Sequence, residues 1–245
     1  MKPSVTQQDI TGLGTILCVG AHPDDETFMA GGLLAAAAAN GQTVICVTAT
    51  KGEAGSQDPV KYPVERMGEV RTEELAAALK ILGVQEHHWL GYLDGECTQV
   101  DPGEATLRLQ QIIEKYQPNT VLTFGSDGLT GHPDHQAVSS WVTTALGQSE
   151  LSPELFYAVL TTDQYQKYLQ TIHTSLNFFY NIKQPPVYAD QDCGILFTSN
   201  DQQCAKKQAA FAAMPSQYSA MFAAFDESFL TEAFRVEAFV RADSK

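Results

Sequence analysis

Apolar residues fall along this chain in short runs set between helical stretches. Residues 16–19, 43–48, 89–90, 119–124 and 155–159 each read as a strand, being brief, rich in branched or aromatic side chains and bounded by turn formers. Residues 27–40 are rich in Ala and Leu and close at Gly41, which predicts a helix with a left-handed cap, although Gly31 and Gly32 weaken its middle. A second helix is predicted over 64–82, with Leu75, Ala78, Leu79 and Leu82 on one face and Gly83 as its stop. Asp101-Pro102-Gly103-Glu104 reads as a helix start, with a capping carboxylate and proline in the first turn, and the helix should run to about Gln117. Residues 125–131 read as a loop. The next helix begins within His132 to His135 and runs to about Leu146. Residues 1–14 are a loose lead-in, 161–186 carry no clear pattern, 203–213 have helical character, and 235–240 read as an edge strand.

Strands alternating with helices predict right-handed crossovers and a mainly parallel sheet covered on both faces, a Rossmann-like doubly wound α/β fold. One domain over residues 1–245 is expected. In the strand order 3-2-1-4-5, strands one and four are neighbours, and ligands bind beyond their carboxyl ends. The first strand delivers His22-Pro23-Asp24-Asp25-Glu26 to that end, and the fourth leads to His132-Pro133-Asp134-His135. The fold therefore predicts that two clusters about a hundred residues apart meet. Three carboxylates in such a short stretch repel one another unless water or a cation lies among them. Nucleotide cofactors lack support: Gly12-Leu13-Gly14 precedes the strand instead of following it, and no P-loop occurs.

Charge narrows the partners. A formal net charge of −14, with only 15 Lys and Arg residues scattered along the chain, argues against binding to nucleic acid or an anionic membrane surface. Residues 1–10 lack the basic-then-apolar pattern of a signal peptide, and the nearly apolar run at 28–39 is too short to span a bilayer. The cysteines at 18, 46, 97, 193 and 204 form no Cys-x-x-Cys pair and read as reduced core thiols of a cytoplasmic protein.

His22 and Asp25 are three residues apart, as are His132 and His135. Two imidazoles and one carboxylate with an open position make a catalytic zinc site, whereas structural zinc usually has four ligands, often cysteines. His22, Asp25 and His135 are the candidate ligands, and Zn²⁺ and Fe²⁺ both suit such a set. The plainer alternative is that these polar residues cap helices, Asp24 or Asp25 at one and Asp134 at another.

Ala21-His22-Pro23-Asp24-Asp25-Glu26 together with Gly131-His132-Pro133-Asp134-His135 resembles the PIG-L or LmbE-like family of zinc-dependent N-deacetylases, which act on N-acetylglucosamine conjugates and related amides. The resemblance extends through Thr50-Lys51-Gly52-Glu53, Arg71-Thr72-Glu73-Glu74-Leu75, Leu82-Gly83-Val84, Asp94-Gly95 and, more weakly, residues 207–217. It implies that His22, Asp25 and His135 bind zinc, that Asp24 is the general base, and that a cationic His132 oriented by Asp134 stabilises the oxyanion. It also implies that Arg71 contacts substrate hydroxyl or phosphate groups and that Asp94 holds a sugar hydroxyl, although on sequence alone Arg71 could pair with Glu74 or Glu65 in solvent and Asp94 be a turn residue. Two positions depart from the family pattern: Met214, where many relatives have histidine, and Thr130, where some have a tyrosine that assists the oxyanion. His87 and His88 read as partly exposed bystanders, and His173 is open. The expected activity is release of acetate from a small N-acetylated sugar. The alternatives are hydrolysis of another amide or ester at the same site, and a non-catalytic metal- or glycan-binding module.

Overall fold

The computed structural model describes residues 7–179 and 181–242. Residues 1–6 of the expected lead-in lie outside these, and residues 7–13 form a short 3₁₀ helix. Strand β1 is Ile16–Gly20, helix α1 Asp25–Ala39, β2 Val44–Thr50, α2 Met67–Leu82, β3 Glu86–Tyr92, α3 Pro102–Tyr116 and β4 Thr120–Phe124. The single turn α4, Gly128–Gly131, precedes α5, Pro133–Gly147, and β5, Glu154–Thr161. The unassigned stretch holds α6, Thr162–Gln164, a π-helical turn at Tyr165–Leu169 and α7, Gln170–Leu176. Then come β6 (Val187–Tyr188), β7 (Ile195–Thr198), α8 (Asp201–Ala212), α9 (Pro215–Ala224), α10 (Glu227–Ala233) and β8 (Val236–Arg241).

The sheet has the order β3-β2-β1-β4-β5-β8-β7, with β6 paired to β5 off this path. Pairings from β3 through β5 are parallel, and β8 is antiparallel to both β5 and β7. Every residue of β1, β2 and β4 is buried, as expected for central strands covered on both faces. Helices flank the sheet in two groups: α1, α2 and α8 pack on one another, and α3 packs on α5.

Two expectations are corrected. Residues 235–240 do not form an edge strand: β8 lies inside the sheet, between β5 and β7. Its charged residue Glu237 is 3% exposed, and its carboxylate accepts from Lys207 Nζ at 2.6 Å and from the N–H groups of Gly32 and Leu33 at 2.7 and 2.8 Å. Residues 125–131 are not all loop, since α4 closes one turn there, capped by Asp127 accepting from Leu129 N–H at 2.6 Å.

The same ion pair explains the glycines inside α1. A Cβ on Gly32 would overlap Ser199 Oγ and crowd Glu237, and one on Gly31 would press on the Lys207 stem. Glycine here lets a buried Lys–Glu pair approach the helix backbone, where Lys207 Nζ also donates to Phe28 O at 3.0 Å. Alanine would favour the helix by about 1 kcal/mol but would collide with Ser199 at position 32 and press on the Lys207 stem at position 31.

Among the described residues no helix is long and apolar enough to cross a membrane. All five cysteines are buried and unpaired.

Candidate metal centre and cleft

The parallel order places the ends of β1 and β4 side by side, and the two His-Pro-Asp clusters follow them. The backbone turns sharply from β1 into α1. Asp24 sits at φ 117°, ψ −24°, a left-handed conformation that costs a non-glycine residue on the order of 1–3 kcal/mol. Its main chain is braced: Glu26 Oε2 accepts from Asp24 N–H at 3.3 Å, and Arg71 Nη2 donates to Pro23 O at 2.5 Å. Asp24 is the first residue before the helix, but its side chain makes no capping bond. The Asp25 carboxylate turns back instead, its Oδ2 accepting from the N–H groups of Ala21 and His22 at 2.8 and 2.7 Å. That leaves Oδ1 for the cleft.

His135 is fixed from the other side. Its Nδ1 lies 2.9 Å from Gly128 O, so Nδ1 carries the proton and Nε2 presents a lone pair. Gly128 has φ 73°, and a Cβ there would stand 3.1 Å from that of His135, so only glycine allows this approach. The ring stacks on Phe124 at 4.0 Å between centroids. Thr130 Oγ1 lies 3.3 Å from the same Nδ1.

His22 Nδ1 faces His135 Nε2 at 3.1 Å, with Asp25 Oδ1 3.4 Å from His135 Nε2 and Asp25 Oδ2 3.8 Å from His22 Nδ1. The outer nitrogen of His22, Nε2, lies 3.0 Å from Asp94 Oδ1 and 3.3 Å from Asp134 Oδ2. Burial opposes a charge on His22, but the hydrogen bonds of Asp134 and Asp94 and the field of Asp25 outweigh it and carry its pKa up to about 10. His135 shows the opposite balance, burial holding it down to about 4.

A divalent cation fits this donor set. Both histidines have their outer N–H groups anchored, on carboxylates for His22 and on a carbonyl for His135. Their inner nitrogens converge with a carboxylate oxygen, and anchoring of this kind orients metal-binding imidazoles. Electron-rich atoms 3.1 to 3.8 Å apart need a positive charge between them, from a proton on His22 or from a metal. Ligand atoms of His22, His132 and His135 also lie within 4.8 Å of one another, as do those of His22, Asp94 and Asp134.

Asp24 adjoins this centre. Burial raises its pKa, Arg71 pulls it back, and Asp25 and Glu26 push it up again, to about 7. Arg71 is not the solvent-paired helix residue that the sequence allowed. It is 4% exposed and donates to Gly52 O at 3.2 Å, to Pro23 O and to Asp24 Oδ2 at 3.2 Å, while Glu74 instead receives the N–H and Oγ–H of Ser216. Asp94 is more than a turn residue: it reaches His22 and accepts from Ala54 N–H at 3.0 Å.

His132 and Asp134 meet, but not through the carboxylate. The His132 ring caps α5, its Nδ1 accepting from Asp134 N–H at 3.1 Å. The Asp134 carboxylate is spent on Gly95 N–H at 2.7 Å, Cys97 N–H at 3.1 Å and His22. Burial and the nearby His22 lower the His132 pKa, and with Nδ1 accepting at the cap the ring proton sits on Nε2. This bond favours a neutral ring over the cation expected here, because a capping Nδ1 keeps its lone pair.

These groups line a cleft of about 390 Å³ that also takes in residues the sequence did not single out, Phe28, Phe178, Gln217, Tyr218 and Met221 among them. Gln217 alone had a signal, as the last residue of the 207–217 stretch. Of the departures, Thr130 lines the cleft, whereas Met214 is core, 1% exposed. His87 bonds Thr48, His88 bonds Tyr116, and His173 Nδ1 accepts from Phe179 N–H, all away from the centre.

Among known proteins, the family model described as PIG-L: GlcNAc-PI de-N-acetylase matches residues 17–146. A 1D-myo-inositol 2-acetamido-2-deoxy-alpha-D-glucopyranoside deacetylase of Kineococcus radiotolerans is 33% identical over 159 residues, which is 54% of this chain and 44% of that protein's length. The fold is similar to that of N,N'-diacetylchitobiose deacetylase from Pyrococcus horikoshii, with TM-score 0.66 and 20% identity over 94% of this chain and 84% of the other. It is also similar to a zinc-inhibited form of a teicoplanin deacetylase, with TM-score 0.65 and 17% identity over 95% of this chain and all of the other.

Proposed function

This chain belongs to the PIG-L (GlcNAc-PI de-N-acetylase) family, and from that premise we propose that it is a metal-dependent hydrolase that removes an acetyl group from an N-acetylated sugar or a related amide. The observation that carries this reading is the meeting of His22 Nδ1 with His135 Nε2 at 3.1 Å, beside Asp25 Oδ1, in a cleft that Asp24 and His132 also line.

In this reading His22, Asp25 and His135 hold the cation. Zinc is the first choice, and Fe²⁺ suits the same ligands. When bound, a divalent ion there supplies Lewis acidity, polarising a carbonyl and lowering the pKa of water to about 7. Asp24 takes the proton of the attacking water and returns it to the departing amine, a task suited to a carboxylate titrating near 7. Arg71 holds that carboxylate in place and keeps its pKa from rising further. His132 offers its Nε2–H to the oxygen that gains charge in the tetrahedral species, and its capping bond fixes the required tautomer. Asp94 and Asp134 orient His22 through its outer nitrogen. Asp94 keeps a second carboxylate oxygen facing Ala54, so a sugar hydroxyl reaching it would meet an acceptor already in use.

The test is acetate release by the purified protein from a panel of N-acetylglucosamine conjugates, before and after chelation and after zinc or Fe²⁺ is added back. Activity that disappears with chelator and returns with metal supports the reading. No acetate from any conjugate by metal-loaded protein would overturn it.

A further inference from the structure

Around the His22–His135 centre the cleft has walls of two kinds. One is polar and hydrogen-bonded to itself: Ala54 N–H donates to Asp94, Gln217 Nε2 donates to Gly55 O at 2.9 Å, and Gln57 Nε2 lies 3.5 Å from Gln217 Oε1. The other offers apolar side chains, Phe28, Leu129, Leu176, Phe178 and Met221, alongside Asn177, Asn181 and Tyr218. The rings of Phe28 and Phe178 lie 5.4 Å apart, and Phe28 in turn packs edge-on to Phe234 at 5.8 Å, which ties this wall to the core. A lone acetyl group needs far less apolar surface than five such side chains offer.

The charges along the cleft are equally particular. Asp24, Asp25 and Asp94 line it, and among the described residues Arg71 is the one lysine or arginine on its wall. Two of that guanidinium's nitrogens are committed to Gly52 O, Pro23 O and Asp24, and the third, Nε, is buried without a partner. A phosphate is normally met by free arginine or lysine donors or by the open N–H groups of a helix start. Both helices that begin here have acidic first turns, Asp25 and Glu26 in α1 and Asp134 in α5, and α5 is capped by His132. Among the described lining residues no second cation stands beside Arg71, whose free Nε–H is buried, and three carboxylates oppose a phosphate's charge.

We infer that the substrate of this cleft is an uncharged N-acyl sugar bearing an apolar substituent, packed on Phe28, Phe178 and Met221, and that phosphate-bearing analogues are rejected. This rests on the deacylating activity proposed above and specifies its substrate class. The apolar group is either the acyl chain or the aglycone, and both present the same chemistry to the wall.

Metal-loaded protein is assayed for kcat/KM on N-acetylglucosamine, its octyl glycoside, N-hexanoylglucosamine and N-acetylglucosamine 1-phosphate. At least one apolar derivative is expected to exceed the free sugar by about tenfold or more, and the 1-phosphate to fall below it by about tenfold. Preference for the octyl glycoside assigns the wall to the aglycone, and preference for the hexanoyl compound assigns it to the acyl group. Phe178→Ser should shrink the apolar preference to about threefold or less. A 1-phosphate turned over as well as the free sugar overturns the inference, as does an apolar preference that is absent or survives Phe178→Ser. Should no amide be hydrolysed, the deacylase reading falls, and calorimetric binding of the same compounds still decides this one. Tighter binding of an apolar derivative than of the 1-phosphate supports it, and equal or reversed affinities overturn it.

Discussion

Arg71 Nη2 lies 3.2 Å from the carboxylate of Asp24, while the same nitrogen donates to the carbonyl of Pro23 just before it. One buried guanidinium thus fixes both the side chain and the strained backbone of the proposed base. Arg71→Gln should remove the positive charge that lowers the Asp24 pKa. The ionised base then appears only at higher pH, and the acid limb of the kcat/KM profile should move up by about one pH unit. A pH–rate profile coinciding with that of the unaltered protein would refute the assigned role.

Asp24→Ala and His135→Ala should fail in different ways. Asp24 makes no contact with the converging nitrogens, so its removal should leave metal content unchanged and lower turnover about 10²- to 10⁴-fold. His135 supplies one of those nitrogens, and its loss should empty the protein of metal. Metal analysis and acetate release on both variants separate the two. Full turnover in Asp24→Ala would remove it from the mechanism.

Lys207 and Glu237 are 2% and 3% exposed and 2.6 Å apart. Lys207→Met should destabilise the protein by about 3–5 kcal/mol, because Glu237 keeps a buried charge without its partner. The double variant Lys207→Met with Glu237→Gln should recover part of that loss, since glutamine can still accept from α1. Denaturant unfolding measures both, and a double variant no more stable than Lys207→Met would count against the pairing.

His87 sets a pH dependence of stability. Burial, with the charge of His88 adding to it, lowers its pKa to about 4, and Thr48 bonds its Nε2 at 3.0 Å. The unfolded chain takes up this proton near pH 6.5 and the folded one only near 4. The stabilisation is therefore complete above 6.5 and is lost as pH falls toward 4. His87→Gln should flatten that decline by on the order of 1 kcal/mol, partial exposure of the ring limiting the effect. Unfolding curves at several pH values between 4 and 7 would reveal it, and unchanged slopes would show that His87 titrates normally.

Sequence by itself determined the strand order of the first five strands, because alternating strands and helices admit few parallel topologies and each strand carries its own apolar run. It also determined that the residues 22–26 and 132–135 come together, since both follow strands that this topology makes neighbours. Local pattern failed where periodicity is broken or borrowed. The π-helical turn at Tyr165–Leu169 spoils the helical repeat of 161–186, and 235–240 are interior because β7, a strand not expected at 195–198, pairs on their far side. What only the tertiary structure decided are the partners of long polar side chains: Arg71 on Asp24, Asp94 on His22, Asp134 away from the ring of His132, and Lys207 on Glu237. The physical reason is that an apolar run must be buried wherever the chain goes, whereas a flexible charged side chain satisfies its hydrogen bonds with whichever backbone or carboxylate the packed elements bring within about 3 Å, and those neighbours lie tens to hundreds of residues away.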